Sequence, residues 1–358
     1  MPSMLVTGAA GLVGSAAVRH FAARGWRVSG LDNDQRRRFF GPEASTAGTR
    51  AALQAELPGY THHALDLRDA AGLEALFAGQ AEPFELVVHA AAQPSHDWAA
   101  TAPLEDFDIN ARGTLGLLEL CRRRCPEAVF VFVSTNKVYG DTPNHLPLVE
   151  RATRLELDPS HAWAARGIDE SMRVDQCLHS LFGCSKLAAD AYVQEYGRYF
   201  GLKTGCFRCG CITGAAHAGA EQHGFLAYLM RCAVGGAGYT IYGHQGKQVR
   251  DNIHAADLAA AFECFQAAPR PGEVYNLGGG RERSCSVREA IARCEALTGR
   301  PMSLREDPRP RKGDHRWWVS DVSKFERHYP AWRQRHDLDA IFAELHAGAQ
   351  ARHAQPSR

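Results

Sequence analysis

The chain has 358 residues, with 41 lysines and arginines against 40 aspartates and glutamates. That length suits one large α/β unit or two closely joined domains, and the balanced charge gives no footing for nucleic acid or an anionic membrane surface. No apolar stretch is long enough to span a bilayer, no secretory leader is expected ahead of the first strand, and 11 cysteines without a small-domain spacing read as free thiols, as expected of a reducing, cytoplasmic compartment.

The apolar residues 4–6 feed Thr7-Gly8-Ala9-Ala10-Gly11-Leu12-Val13-Gly14, and an Ala-rich amphipathic helix is expected over 12–24, closed by Gly25. Strand, glycine turn and helix form the setting in which this motif binds a dinucleotide. Gly8 permits the tight turn, Gly11 the approach of a pyrophosphate, and Gly14 the packing of helix on strand. Leu12 and Val13 open the helix whose N-terminal N–H groups face the phosphates. A second strand over 26–31 leads to Asp32 and Asn33. A carboxylate at 32 suits a ribose with two free hydroxyls, hence NAD. Arg36, Arg37 and Arg38 are either a site for a ribose 2′-phosphate or a solvated basic loop, and Asp32 tips the balance away from NADP.

A third strand over 60–65 ends at Asp66 and Leu67, where adenine contacts are expected. A fourth over 86–89 is followed by Ala90, Ala91 and Ala92, small enough for close approach of a cofactor, and by Gln93. A long helix spans 103–124, and the wholly apolar 129–133 reads as a central parallel strand. The alternation predicts an α/β fold: a Rossmann doubly wound parallel sheet with helices on both faces. Ligands then meet the carboxyl ends of the strands, where the polar residues collect.

Residues 150–180 are polar and irregular and read as an active-site loop. A helix over 181–200 and a strand over 204–207 follow. Beyond them come a helix near 225–234, a strand at 239–242, and helices near 257–267, 287–298 and 338–346. The division predicted is a cofactor domain over 1–180, rejoined by segments near 186–210 and 246–258, a smaller mixed α/β substrate lobe over 211–345, and a frayed tail over 347–358. Cys206-Phe207-Arg208-Cys209-Gly210-Cys211 contains a CxxC, but no second pair stands at zinc spacing. Strand thiols are the preferred reading, and no metal site is expected.

Three segments carry the chemistry. They are Ser134-Thr135-Asn136-Lys137-Val138-Tyr139-Gly140, then His179-Ser180-Leu181-Phe182-Gly183-Cys184-Ser185-Lys186, and Gly246-Lys247-Gln248-Val249-Arg250-Asp251 with His254 and Asp257. With the glycine loop, they resemble the extended short-chain dehydrogenase/reductases that act on nucleotide sugars, to about residue 345. The resemblance implies NAD held tightly and used transiently, and epimerisation of a nucleotide-diphosphate sugar, CDP- ahead of UDP-linked, through a keto-sugar. It implies that Thr135 bonds the reacting hydroxyl and Lys186 the nicotinamide ribose. Arg250 and Arg311 would hold the diphosphate, with Gln93, Asn136 and Lys137 around the sugar. It also implies a homodimer or larger homo-oligomer paired through 103–124 and 181–200.

The departures matter as much. Phe182 stands at the tyrosine of the family's Tyr-x-x-x-Lys acid/base motif and has no proton to give. Cys211 replaces a common asparagine. Asn136-Lys137 stand where sugar dehydratases carry Asp-Glu, which argues against elimination of water. Three readings remain: a slow or inactive epimerase, another NAD-dependent redox enzyme of nucleotide sugars, or a protein that binds both ligands without turnover.

Overall fold

A computed structural model describes residues 1–354 apart from 218, 220, 222, 223 and 312. Seven strands form the central sheet: β1 (Ser3–Thr7), β2 (Arg27–Leu31), β3 (Tyr60–His63), β4 (Leu86–His89), β5 (Val129–Thr135), β6 (Lys203–Cys209) and β7 (Glu273–Leu277). Their order is β7-β6-β5-β4-β1-β2-β3, and every pairing is parallel.

Alternation along the strands explains the layers. Met4, Val6, Val88, Val131 and Phe207 face one side and pack on Ala17, Val18 and Phe21 of helix Leu12–Ala22 and on Leu258 and Phe262 of helix Ala255–Ala267. Leu5, Val87, Phe130, Phe132 and Cys206 face the other and meet Leu117, Cys121, Ala189 and Val193. Strands apolar in both parities are therefore buried on both faces. The helix expected over 103–124 is one rod in three parts, Pro103–Phe107, a π-helical turn Asp108–Arg112 and Gly113–Arg124.

The second lobe has its own core of Leu226, Met230, Ile241, Ile291, Phe342 and Leu345. Strand Val249–His254 pairs with Cys211–Thr213, Ser284–Ser286 and Trp317–Trp318. Strand 249–254 thus pairs within this smaller sheet, while its Ile253 packs into the core under the main sheet. The chain returns to the main sheet later, through helix Ala255–Ala267 and strand β7. The expected frayed tail is instead helical to His353, in helix Leu338–His353. Ala349 packs into the lobe core and Arg352 donates to the Ala215 carbonyl at 2.9 Å, so the last turns are anchored. Residues 355–358 lie outside the described residues.

The segment expected to be an active-site loop is a structural wedge. Leu148–Glu150 and Leu155–Leu157 form an antiparallel pair. Leu157, Ile168 and Met172 bury against Trp317, Trp318 and Val319. Eleven cysteines are free, and Cys206 donates from within β6 to buried Asp190 at 2.9 Å. No described helix is long and apolar enough to cross a membrane.

Candidate active site

One cavity of about 740 Å³ runs along the carboxyl ends of β1, β2, β4 and β5 and under the second lobe. It is lined by Gly8, Gly11, Leu12, Val13, Gly14, Asp32, Asn33, Asp66, Leu67, Ala90, Ala91 and Ala92. Thr135, Asn136, Lys137, Phe182, Lys186, Arg250 and Arg311 line the same cavity. Sites assembled from residues 8 to 311 therefore share one space.

The glycine loop is shaped by contacts that exclude side chains. Gly8 has φ +67°, and a Cβ there would fall 2.8 Å from the Ala91 nitrogen; one at Gly14 would fall 2.0 Å from the Gly8 carbonyl. Asp32 braces the loop: Oδ2 accepts from the Ala10 N–H at 3.1 Å, and Oδ1 from the Asp34 N–H and the Thr46 hydroxyl. Of the three arginines, Arg36 lines the cavity. Arg38 turns away to Glu105 and the Trp98 ring. Asp66 accepts from Asn33, Gln35 and Arg68, and the Arg68 guanidinium holds its carboxyl below the ordinary range. A bare loop, a carboxylate at the end of β2 and small residues after β4 fit an adenosine diphosphate with an unphosphorylated ribose.

Further along, Thr135 ends β5, and its hydroxyl accepts from the Lys137 N–H at 3.2 Å. Helix Leu181–Phe200 begins against this turn: a Cβ at Gly183 would lie 2.9 Å from the Lys137 carbonyl. That contact brings Phe182 and Lys186, one helical turn apart, into the cavity. Lys186 donates to the Val133 carbonyl at 2.9 Å and sits 4.1 Å above the Phe132 ring. Burial pulls its ammonium down to about 8. Lys137 donates to the Gly313 carbonyl at 2.9 Å and is likewise drawn to about 8, mainly by burial, with Asp314 opposing. Arg250 pairs with Asp314 at 2.5 Å, and Arg311 lies 5.7 Å over the Tyr242 ring.

Gln93 needs correction. It is fully buried, does not line the cavity, and spends its amide internally: Nε2 donates to Asp106 at 2.7 Å and to the Ser95 carbonyl, and Oε1 accepts from the Ser95 N–H. The turn after β4 aims it back at the 103–124 rod. Among the described residues, 150–180 also contribute nothing to the cavity lining. Conversely, His96, Asp314 and Tyr242 line it without having been singled out from the sequence. Only the position of His96, shortly after a sheet strand, could have pointed to one of them.

The parallel sheet, glycine cradle and strand-end cavity define a dinucleotide-binding enzyme fold of the Rossmann type. The chain belongs to the NAD dependent epimerase/dehydratase family, whose model matches residues 4–278. It is 33% identical over 243 residues to CDP-paratose 2-epimerase of Salmonella typhi, covering 66% of this chain and 69% of that protein. It is 28% identical over 341 residues to dTDP-glucose 4,6-dehydratase 1 of Escherichia coli K12, covering 90% and 86%. The crystal structure of UDP-glucose-4-epimerase from Stenotrophomonas maltophila, with bound NAD and formylated UDP-arabinopyranose, superposes with TM-score 0.78 at 25% identity over 99% of both chains.

Proposed function

We propose that this protein is an NAD-dependent nucleotide-sugar epimerase acting most like CDP-paratose 2-epimerase, inverting C2 of a CDP-linked sugar through a transient keto-sugar. The observation that carries the reading is the shared cavity: the glycine cradle and Asp32, then Thr135, Phe182 and Lys186, then Arg250 and Arg311. The bound nicotinamide supplies reversible hydride transfer. The chain supplies the rest. Asp32 accepts from the adenosine ribose, and Lys186 orients the second ribose. Arg250 and Arg311 hold the diphosphate with charge-assisted bonds of fixed geometry. Thr135 bonds the reacting hydroxyl, and the second lobe covers the sugar and excludes water.

Phe182 packs where this family's resemblance calls for a phenol, so the chain turns over slowly unless another group moves the proton. Asn136-Lys137 remain the argument against a dehydratase. Binding without turnover is the second reading, favoured by Phe182 alone. The test assays C2 inversion of CDP-paratose, and of UDP- and dTDP-sugars, by the chain and by Phe182→Tyr, alongside binding of NAD and CDP. Turnover identifies the enzyme, and the ratio of the two rates shows what a phenol at 182 adds. Tight binding of both ligands with no turnover by either form would replace the epimerase with the binding protein.

A further inference from the structure

Several groups could take the proton that Phe182 cannot, and the geometry removes most of them. Tyr139 is buried, donates to Asn276 Oδ1 at 2.8 Å, accepts from Arg208 and stacks on Trp318. Glu170 lies outside the cavity lining and accepts from the Asn276 N–H at 2.7 Å. Lys137 is engaged with the Gly313 carbonyl and offset by Asp314. Cys211 is a thiol that burial pushes up to about 11.

His96 is different. It lines the cavity, and its ring stands edge-on to Phe182 with centroids 5.0 Å apart. Its Nδ1 is buried beside Gly313, where a Cβ would fall 2.9 Å from it, and has no hydrogen-bond partner among the described residues, which leaves Nε2 as the ring nitrogen able to meet a ligand. The segment that carries it is held rigidly. Gln93 bonds Asp106 and the Ser95 backbone, and Asn110 bonds Gln93 and Ser185, one residue before Lys186. The Ser95 hydroxyl caps the turn, accepting from the Trp98 N–H at 3.1 Å. The buried network around Gln93 therefore fixes His96 against Phe182.

We propose that the His96 imidazole is the proton carrier of this site, doing from the start of helix His96–Thr101 what a phenol at position 182 would do from helix Leu181–Phe200. This rests on the epimerase reading. In the forward half-step the sugar O–H bond breaks and its proton joins a ring nitrogen of His96. The freed electron pair forms the C=O bond, and the C–H electron pair leaves as hydride to the nicotinamide. In the return half-step hydride re-forms C–H on the opposite face, and the imidazolium gives its proton back to the oxygen.

The surroundings explain why the carrier is a weak one. Burial draws His96 down to about 3; Lys137 and Arg311 push the same way, and Asp314 opposes them. The imidazole is thus neutral and ready to accept, but far from the neutrality that serves acid–base transfer best. A diphosphate held by Arg311 and Arg250 would offset those cations and raise its proton affinity.

The test uses the full chain loaded with NAD. His96→Gln should lower C2 inversion of CDP-paratose by roughly 10²–10⁴-fold with CDP affinity unchanged. His96→Gln combined with Phe182→Tyr should regain the rate. A second readout needs no turnover: in ¹⁵N-histidine NMR spectra, the resonance missing from His96→Gln should titrate closer to neutral pH when CDP and NAD are added. Turnover untouched by His96→Gln, or a resonance indifferent to CDP, overturns the assignment and leaves the epimerase reading standing. Loss of turnover in Lys137→Gln with His96→Gln at the parent rate hands the role to Lys137. If neither the parent nor Phe182→Tyr turns over any nucleotide sugar, the epimerase reading fails, and the NMR response alone decides whether His96 faces the ligand.

Discussion

The Arg250 guanidinium holds the Asp314 carboxylate at 2.5 Å, while its other arm donates to the Val249 carbonyl at 2.7 Å. Burial disfavours the charged form of Asp314, yet Arg250 and Lys137 keep its carboxyl below the ordinary range. The pair joins the small sheet to the loop that carries Arg311, so both arginines are positioned before any ligand arrives. Arg250→Ala and Arg311→Ala should each weaken CDP and UDP binding by about 1.5–3 kcal/mol, the worth of a charge-assisted bond. Calorimetry gives the number. Parental affinity in both variants would move the diphosphate elsewhere.

Asp32 is expected to set the choice of dinucleotide. Its carboxylate is fixed by the Ala10 and Asp34 N–H groups and the Thr46 hydroxyl, so it cannot swing away from a 2′-phosphate. Arg36 lines the same end of the cavity, and burial draws its guanidinium down to about 10. The fixed carboxylate should dominate, and NAD should bind more tightly than NADP. Asp32→Ala should narrow the difference. A parent that prefers NADP in a fluorescence titration would give the decision to Arg36.

Leu104 and Tyr199 are each 81% exposed, and Phe107, Tyr192 and Phe200 are also open on the same two helical segments. Large apolar side chains concentrated on neighbouring helices mark a face that association would cover. We expect a homodimer through this face. Leu104→Glu with Tyr199→Glu should sediment as a monomer while still binding NAD. A monomeric parent at micromolar concentration would dismiss the interface.

Acid should destabilise the fold through His89. The ring is buried between the Thr7 hydroxyl at 2.6 Å and the Thr114 hydroxyl at 2.9 Å, and burial draws it to about 3 from an ordinary 6.5. Between those values the unfolded chain binds the extra proton. Stability therefore rises with pH in that window and is lost as pH falls below about 6.5. One such histidine contributes a slope of ~1.4 kcal/mol per pH unit. Urea unfolding at pH 7, 6 and 5 measures it. His89→Phe should be less stable at pH 7 but show a flatter acid limb.

The sheet was legible because its strands are short apolar runs flanked by helical periodicity, and the site followed wherever a polar residue ends a strand. Gln93 shows the limit of that rule: one residue past the small alanines, the chain aims its amide into the protein. Residues 47–56 form a helix that buries only Leu53, so their small and polar composition concealed it. Residues 150–180 looked like an active-site loop because their Pro, His and Trp content is polar and irregular. Their partners, Trp317 and Trp318, lie far along the chain, and no local pattern reveals that packing. Asp314 and His96 escaped for the same reason, since their meaning comes from Arg250 and Phe182 across the fold.

Phe182→Tyr should raise turnover. The Phe182 ring is buried, touches His96 edge-on and shares a helical face with Lys186, so a phenol can take its place with little repacking. Its hydroxyl would enter a space bordered by the Lys186 ammonium, which burial holds near 8, and an oxidised nicotinamide bound in the cavity would add a second positive charge. Both charges favour phenolate and bring its titration toward neutral pH. His96, drawn to about 3, is the poorer match for a reaction run near neutrality. The variant should therefore gain up to ~10²-fold or more in kcat, with NAD and CDP affinities near the parent's. Its pH–rate profile should acquire a limb that shifts when Lys186→Met removes the neighbouring charge. Equal and brisk turnover by parent and variant would mean that the phenol adds nothing and that the imidazole already suffices. A fall in turnover would mean that the hydroxyl displaces His96 from the proton it carries.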